Sequence, residues 1–203
     1  AFQGGYHGMT LGTLSISGNL GPKQALGGLL SGVQFLPYPQ DFRCPFGLGG
    51  EAGIQANLHY LRQLLNDPEG GIAPPAAMIL EAVQGEGGVL PAPTRWLQGL
   101  RELTQSQQIP LIVDEIQTGI GRTGKMFGFE HADITPDVIT LSKAIGGGLP
   151  LSVVVYREEL DRWQPGSHAG TFRGNQLAMA AGTAVLKFIK AERLDLHAAA
   201  MGQ

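Results

Sequence analysis

The chain has 203 residues, with 14 lysines and arginines against 17 acids, a net charge of −3, 31 glycines and one cysteine. That length suits one domain, or one and a fraction, with room for a substantial core. No basic cluster marks nucleic acid or an anionic membrane as a partner, and no apolar run reaches the length of a membrane span. The lone cysteine, Cys44, rules out an internal disulfide framework and suits a reducing cytoplasm.

Glycine exceeds its usual share of about 7%. The glycines gather at turns, as at 85, 87 and 88, 119, 121 and 124, and 146 to 148, which suits loops that approach a ligand closely. The chain opens on Ala1 inside a glycine-rich turn, AFQGGYHG, and is expected to be an internal piece of a longer protein.

In chain order, a helix is expected near residues 9 to 17 and a short strand at VQFLP, 33 to 37. An irregular stretch around Pro37, Pro39 and Pro45 follows, then a helix from Gly50 to Leu65. AAMILEAV, 76 to 83, reads as a strand, and a helix then starts near Thr94 with Thr94 as N-cap. IPLIVDE, 109 to 115, and DVITLSK, 137 to 143, are short, rich in branched aliphatics, and read as buried parallel strands. LSVVVY, 151 to 156, follows too closely for a parallel crossover, which predicts an antiparallel pair. From Asn175 to Ala191 the apolar set Leu177, Ala181, Val185, Leu186 and Ile189 has helical period. This alternation predicts an α/β fold with a mostly parallel sheet and helices on both faces. Residues 1–190 would form one domain and 191–203 would begin a connection to another.

Two of these strands end on chemistry. LIVDEIQTGIGRTG places Asp114 at the end of one, and VITLSKAIGGG places Lys143 at the end of the next. Ligands bind at such strand ends. A desolvated lysine there would be nucleophilic, and an acid on the neighbouring strand could pair with the ring nitrogen of a cofactor held by the lysine as an imine, as pyridoxal phosphate requires. Strand-end Asp and Lys residues also occur as plain ion pairs or helix caps.

Five motifs in order, YHG, EAVQGEGG, DEIQTGIGRTG, LSKAIGGG and GTFRGN, resemble the large domain of the class III aminotransferases, of pyridoxal-phosphate fold type I. The resemblance implies that Lys143 carries the cofactor and that Asp114 holds its ring nitrogen protonated. It puts Tyr6 on one ring face and Ile116 on the other, Gln117 on the phenolic oxygen, and His7 close to Asp114. Glu81 would be an acid behind that network, and Glu86 the partner of an arginine beyond residue 203. Thr171 would serve the cofactor phosphate of a neighbouring subunit, making a homodimer part of the site. The family's other phosphate loop should precede residue 1.

One departure bears on substrate. Ornithine, acetylornithine and γ-aminobutyrate aminotransferases carry arginine after the aromatic-x-Gly turn, where it grips a carboxylate; this chain has Met9. That residue, and the wording of AFQGGYHGMTLGTLSISGN, FLPYPQDFRCPFG and SHAGTFRGNQLAMAAG, most resemble the 2,4-diaminobutyrate aminotransferases. The reaction implied moves the 4-amino group of L-2,4-diaminobutyrate to 2-oxoglutarate. Another ω-aminotransferase, or an inactive truncated piece, are the alternatives.

Overall fold

A computed structural model describes residues 1–26 and 28–202. Four strands form the main sheet in the order β1, β4, β5, β6: Met78–Leu80, Leu111–Asp114, Val138–Leu141 and Val153–Tyr156. The first three are parallel, with Leu80 opposite Val113 and Asp114 opposite Thr140. Strand β6 runs antiparallel to β5, Leu141 facing Val153, as the short connection predicts. The α/β class and the mostly parallel sheet therefore agree with the expectation.

The expected strand at 76 to 83 is broken. It stops at Leu80, and after Glu81 the chain turns into β2 (Val83–Gln84), which pairs antiparallel with β3 (Leu90–Pro91). The break frees Glu81 from the ladder. The expected strand at 33 to 37 reduces to a single parallel bridge between Phe2 and Leu36, because only Gln3 N–H and Leu36 N–H complete rungs there.

Period-two alternation puts Met78, Leu80, Leu111, Val113, Ile139 and Leu141 on one face of the sheet. Helices α2 (Gly50–Asn66) and α3 (Thr94–Ser106) cover much of that face through Leu58, Leu61, Trp96, Leu97 and Leu100. Trp96 is fully buried and donates its indole N–H to Asn57 Oδ1 at 2.8 Å, so its polar atom costs nothing on burial. The other face, with Ile79, Ile112, Val138 and Thr140, is only half-buried. Asp114 projects from that side.

Helix α3 begins at Thr94, but its N-cap is Pro93, without a side-chain cap bond. The expected cap at Thr94 is thus one residue late: proline fixes φ at the boundary and Thr94 enters the first turn. Helix α4 (Gln176–Glu192) is capped by Asn175, whose side chain accepts from Ala178 N–H. Its inward face is Ala178, Gly182, Val185 and Ile189, whereas Leu177 is 75% exposed. The apolar stripe read from the sequence therefore holds at Val185 and Ile189 and fails at Leu177 and Leu186. Gly182 decides this: a Cβ there would meet the Ile145 carbonyl at 2.8 Å, so the smallest residue faces the turn after β5.

Arg193 then adopts a left-handed conformation and α5 (Leu194–Met201) folds back, with Asp195 and Ala199 lying against Gly121 and Gly124. Beneath the sheet's opposite end, Asp137 receives both guanidinium nitrogens of Arg101, at 2.6 and 3.0 Å, together with Arg157 at 2.8 Å and the Leu111 N–H. Burial works against the Asp137 charge, but the Arg101 and Leu111 hydrogen bonds and the two arginine charges outweigh it and hold the carboxyl below its usual range.

Candidate active site

The ends of β4 and β5 converge on one cluster. Asp114 is the last residue of β4 and is buried. Its Oδ1 accepts from Ile116 N–H and from Thr140 Oγ1, both at 3.1 Å, and its Oδ2 lies 2.8 Å from His7 Nδ1. An ionised carboxylate only accepts, so His7 Nδ1 carries the proton of that bond. Three donors from three parts of the chain thus fix one carboxylate.

His7 is itself held from behind. Its backbone N–H donates to Ser17 Oγ, which in turn donates to the Thr13 carbonyl in α1 (Leu11–Ile16). Its second ring nitrogen, Nε2, is buried with no hydrogen-bond partner among the described residues. Unpaired buried nitrogens are uncommon and cluster at functional sites.

Glu81, where β1 stops, accepts Tyr6 N–H at 2.8 Å and Gly85 N–H at 3.1 Å. It ties the YHG turn to the QGEGG turn. Burial pushes its carboxyl above the ordinary range; the two N–H groups and His7 oppose this, and the nearby Asp114 charge adds to it. Tyr38 braces the same break, its buried hydroxyl shared among the carbonyls of Glu81, Ala82 and Leu90.

Lys143 differs from its expectation in two ways. It lies beyond β5, at the start of the 3-10 turn Lys143–Gly146, and it is exposed rather than desolvated. What is special is the backbone: φ is +49°, a left-handed conformation that costs a non-glycine residue on the order of 1 kcal/mol. The amine is nonetheless placed, donating to Gln117 Oε1 at 2.9 Å.

Ile116 and Gln117 stand in the turn after β4, not on the strand, so strand alternation does not set the direction of Ile116. The turn is compact: Gly119 N–H reaches the Glu115 carbonyl and Arg122 reaches the Gln117 carbonyl at 3.1 Å. Gly85 leaves room for Gln117, since a Cβ at 85 would sit 2.6 Å from the Gln117 amide carbon. Asp114, His7, Glu81, Tyr6, Ile116, Gln117 and Lys143 are thus brought together. Glu86 and Thr171 are exposed and make no hydrogen bond to this cluster.

Thr140 and Glu115 were missed. Thr140 could have been found from register, because a parallel neighbour of an acid-bearing strand end presents its polar residue on the same face. Glu115 follows Asp114 directly and is 0% exposed. Burial pushes its carboxyl upward against hydrogen bonds from Thr118, Gly128 and Phe129.

The sequence pattern of the class-III aminotransferases matches residues 1–203. This chain belongs to that family. It is 59% identical, over all its 203 residues, to a diaminobutyrate--2-oxoglutarate aminotransferase of Rhizobium meliloti, of which it covers 43%, and 56% identical to one of Haemophilus influenzae, of which it covers 45%. The class III chain thus spans less than half the length of these curated relatives. Among solved structures it is similar to an (S)-enantioselective omega-transaminase from Thermomicrobium roseum. The TM-score is 0.87 and identity 32%, over 98% of this chain and 46% of that one. An ornithine aminotransferase from Toxoplasma gondii gives a TM-score of 0.83 at 32% identity, over 99% and 42% of the two chains.

Proposed function

We propose that this chain is the cofactor-holding part of a pyridoxal-phosphate-dependent aminotransferase. The reaction moves the 4-amino group of L-2,4-diaminobutyrate to 2-oxoglutarate, giving L-aspartate 4-semialdehyde and L-glutamate, reversibly. The observation that supports the chemistry is an amine, Lys143 Nζ, just beyond β5 and a thrice-held carboxylate, Asp114, at the end of the neighbouring β4. The donor set fits the cofactor: a primary amine that can condense with an aldehyde, and an anion whose free lone pairs suit a protonated ring nitrogen.

Bound there, pyridoxal phosphate would supply an electron sink for the carbon that bears the amino group. The chain's own residues do the rest. Asp114 would pair with the ring nitrogen, and His7 and Thr140 stop its carboxyl group from turning away. Lys143 Nζ would hold the cofactor and, once displaced from it by the substrate amine, would be the base positioned to take the proton from the amino-bearing carbon. Gln117 supplies the amine's resting acceptor. Tyr6 and Ile116 would flank the ring, and Glu81 holds the Tyr6 backbone in place.

The substrate reading rests on the 59% and 56% identical relatives and on Met9. Met9 is 55% exposed and carries no charge, so it offers no grip to a carboxylate at that position. Glu86 and Thr171, both exposed here, are assigned to the parts that this chain does not itself contain: a substrate-side arginine in a following domain, and the cofactor phosphate of a partner in a homodimer. The division at residue 190 belongs to the same proposal. So does a cytoplasmic setting, supported by the single free Cys44.

The test is the visible absorption of the full-length protein with added pyridoxal phosphate, before and after L-2,4-diaminobutyrate, and separately with L-ornithine and γ-aminobutyrate. Loss of the lysine-bound cofactor's band with diaminobutyrate alone is the expected result. An equal response to ornithine or γ-aminobutyrate refutes the substrate assignment, and no band at all refutes the cofactor assignment.

A further inference from the structure

Glu115 has no part in the chemistry proposed above, yet it sits in a made-to-measure pocket. Its side chain is 0% exposed. Oε2 accepts from Thr118 Oγ1 and from Gly128 N–H, the latter at 2.9 Å, and Oε1 accepts from Phe129 N–H at 3.0 Å. Gly128 has no side chain to spare: a Cβ there would lie 3.2 Å from Thr118 and 3.3 Å from Glu115 Oε1. Two of the three donors thus come from a segment more than ten residues downstream.

The main chain of Glu115 is fixed as firmly. Its N–H donates to the Thr140 carbonyl of β5 and its own carbonyl receives Gly119 N–H, both at 2.9 Å. A Cβ at Gly119 would meet that carbonyl at 2.7 Å, so the closure is available to glycine alone. The turn continues into Ile120 at φ +62°, a conformation that a β-branched residue does not hold without support. It also carries Ile116 and Gln117, whose Oε1 receives Lys143 Nζ.

We infer that Glu115 is a positioning residue: its buried carboxylate clamps the turn after β4 to the Gly128–Phe129 segment, and through Gln117 it sets where the Lys143 amine rests. The inference depends on the aminotransferase reading of Lys143 and Gln117. An apolar side chain would fill the same volume without the cost of burying a carboxylate. What it could not do is bind two backbone N–H groups and the Thr118 hydroxyl at once.

Glu115→Gln in the full-length enzyme loaded with pyridoxal phosphate tests this, since it keeps the size and turns one acceptor into an NH2 that opposes an N–H. A catalytic group displaced by on the order of 1 Å loses up to about a hundredfold in rate. The expected result is therefore a fall in kcat of about tenfold to a hundredfold, with KM for the amino donor within about twofold. In the cofactor-free protein, amide exchange should rise across 116–121 and at 128–129 while β1 and α3 stay protected. Thr118→Val, which removes one donor, should show the same pattern more weakly and decides the matter if the Gln variant does not fold.

Unchanged kcat and exchange overturn the inference. So does a loss of protection over the whole chain, which would make Glu115 a strut of the core. Lys143→Ala in parallel separates the two levels: turnover retained there sinks the catalytic reading, whereas the exchange pattern at 116–121 reports on the clamp alone.

Discussion

Lys143 Nζ rests 2.9 Å from Gln117 Oε1, so the residue that follows β5 is tied to the turn that follows β4. Neither side chain is on a strand, and each is placed by what lies beneath it: Gln117 by the turn that Glu115 closes, Lys143 by a left-handed backbone. Removing the amine and removing the acid should therefore have different consequences. Lys143→Ala is expected to abolish both the visible band and turnover. Asp114→Ala should retain some cofactor and lose at least about a thousandfold in rate, because the charge that it supplies acts in a largely water-excluded place. Single-turnover kinetics with bound cofactor measured separately would check this. Substantial turnover in the lysine variant contradicts the mechanism.

Gly85 provides a finer test of the same contact. An added Cβ would fall 2.6 Å from Gln117 Cδ and Oε1 and 2.7 Å from Nε2, and Gly85 is not among the positive-φ glycines. Alanine therefore suits the backbone at 85 and collides only with a flexible side chain. Gly85→Ala should displace the Gln117 amide and lower kcat about tenfold, as expected when a positioning contact is lost. Thermal unfolding should shift little, by about 2 °C or less, because no core packing is removed. Unaltered kcat would show that Gln117 does not need its place.

Asp137 tests stability at the other end of the sheet. It precedes β5, receives Arg101 in a two-pronged pair and caps the Leu111 N–H. The Arg101 side chain is only 9% exposed, so Asp137→Asn would strand a buried guanidinium. The expected cost is about 3 kcal/mol, read from chemical denaturation. Arg157, nearly half exposed, should cost far less when replaced. A loss on replacing Arg157 as large as that of Asp137→Asn would contradict this ranking.

Much of this arrangement was legible from local pattern, and what escaped was set by distant neighbours. The short aliphatic runs ending in Asp114 and Lys143 announce parallel strands because both faces of a strand in such a sheet prefer branched apolar residues. The antiparallel β6 follows from connection length alone. On the inward face of α4, Val185 and Ile189 were legible and Gly182 was not, because Gly182 is chosen by the Ile145 carbonyl, nearly forty residues earlier, and hydrophobic period favours the bulkier Leu177. The exposure of Lys143 escaped for a similar reason: apolar flanks suggest burial, but the strand stops at Leu141 and the 3-10 turn lifts the lysine out. Resemblance named His7 and Glu81 as neighbours of Asp114. In the folded chain one bonds the carboxylate directly and the other acts through the backbone of Tyr6.

Glu81 yields a prediction about pH. Burial raises its carboxyl above the ordinary value despite the N–H groups of Tyr6 and Gly85 and the influence of His7, and the Asp114 charge reinforces the rise. The folded chain therefore binds this proton more tightly than the unfolded chain does. Its contribution to stability is complete below the ordinary glutamate value of about 4.3 and is lost progressively as pH climbs from there through the raised folded value. Glu81→Gln cannot titrate, so the stability gap between parent and variant should change over that window in the variant's favour and level off above it. Denaturation midpoints taken at half-unit steps from pH 4 upward would show this. A gap that stays constant with pH means that folding leaves the Glu81 carboxyl at its unfolded value, the Tyr6 and Gly85 N–H groups offsetting its burial.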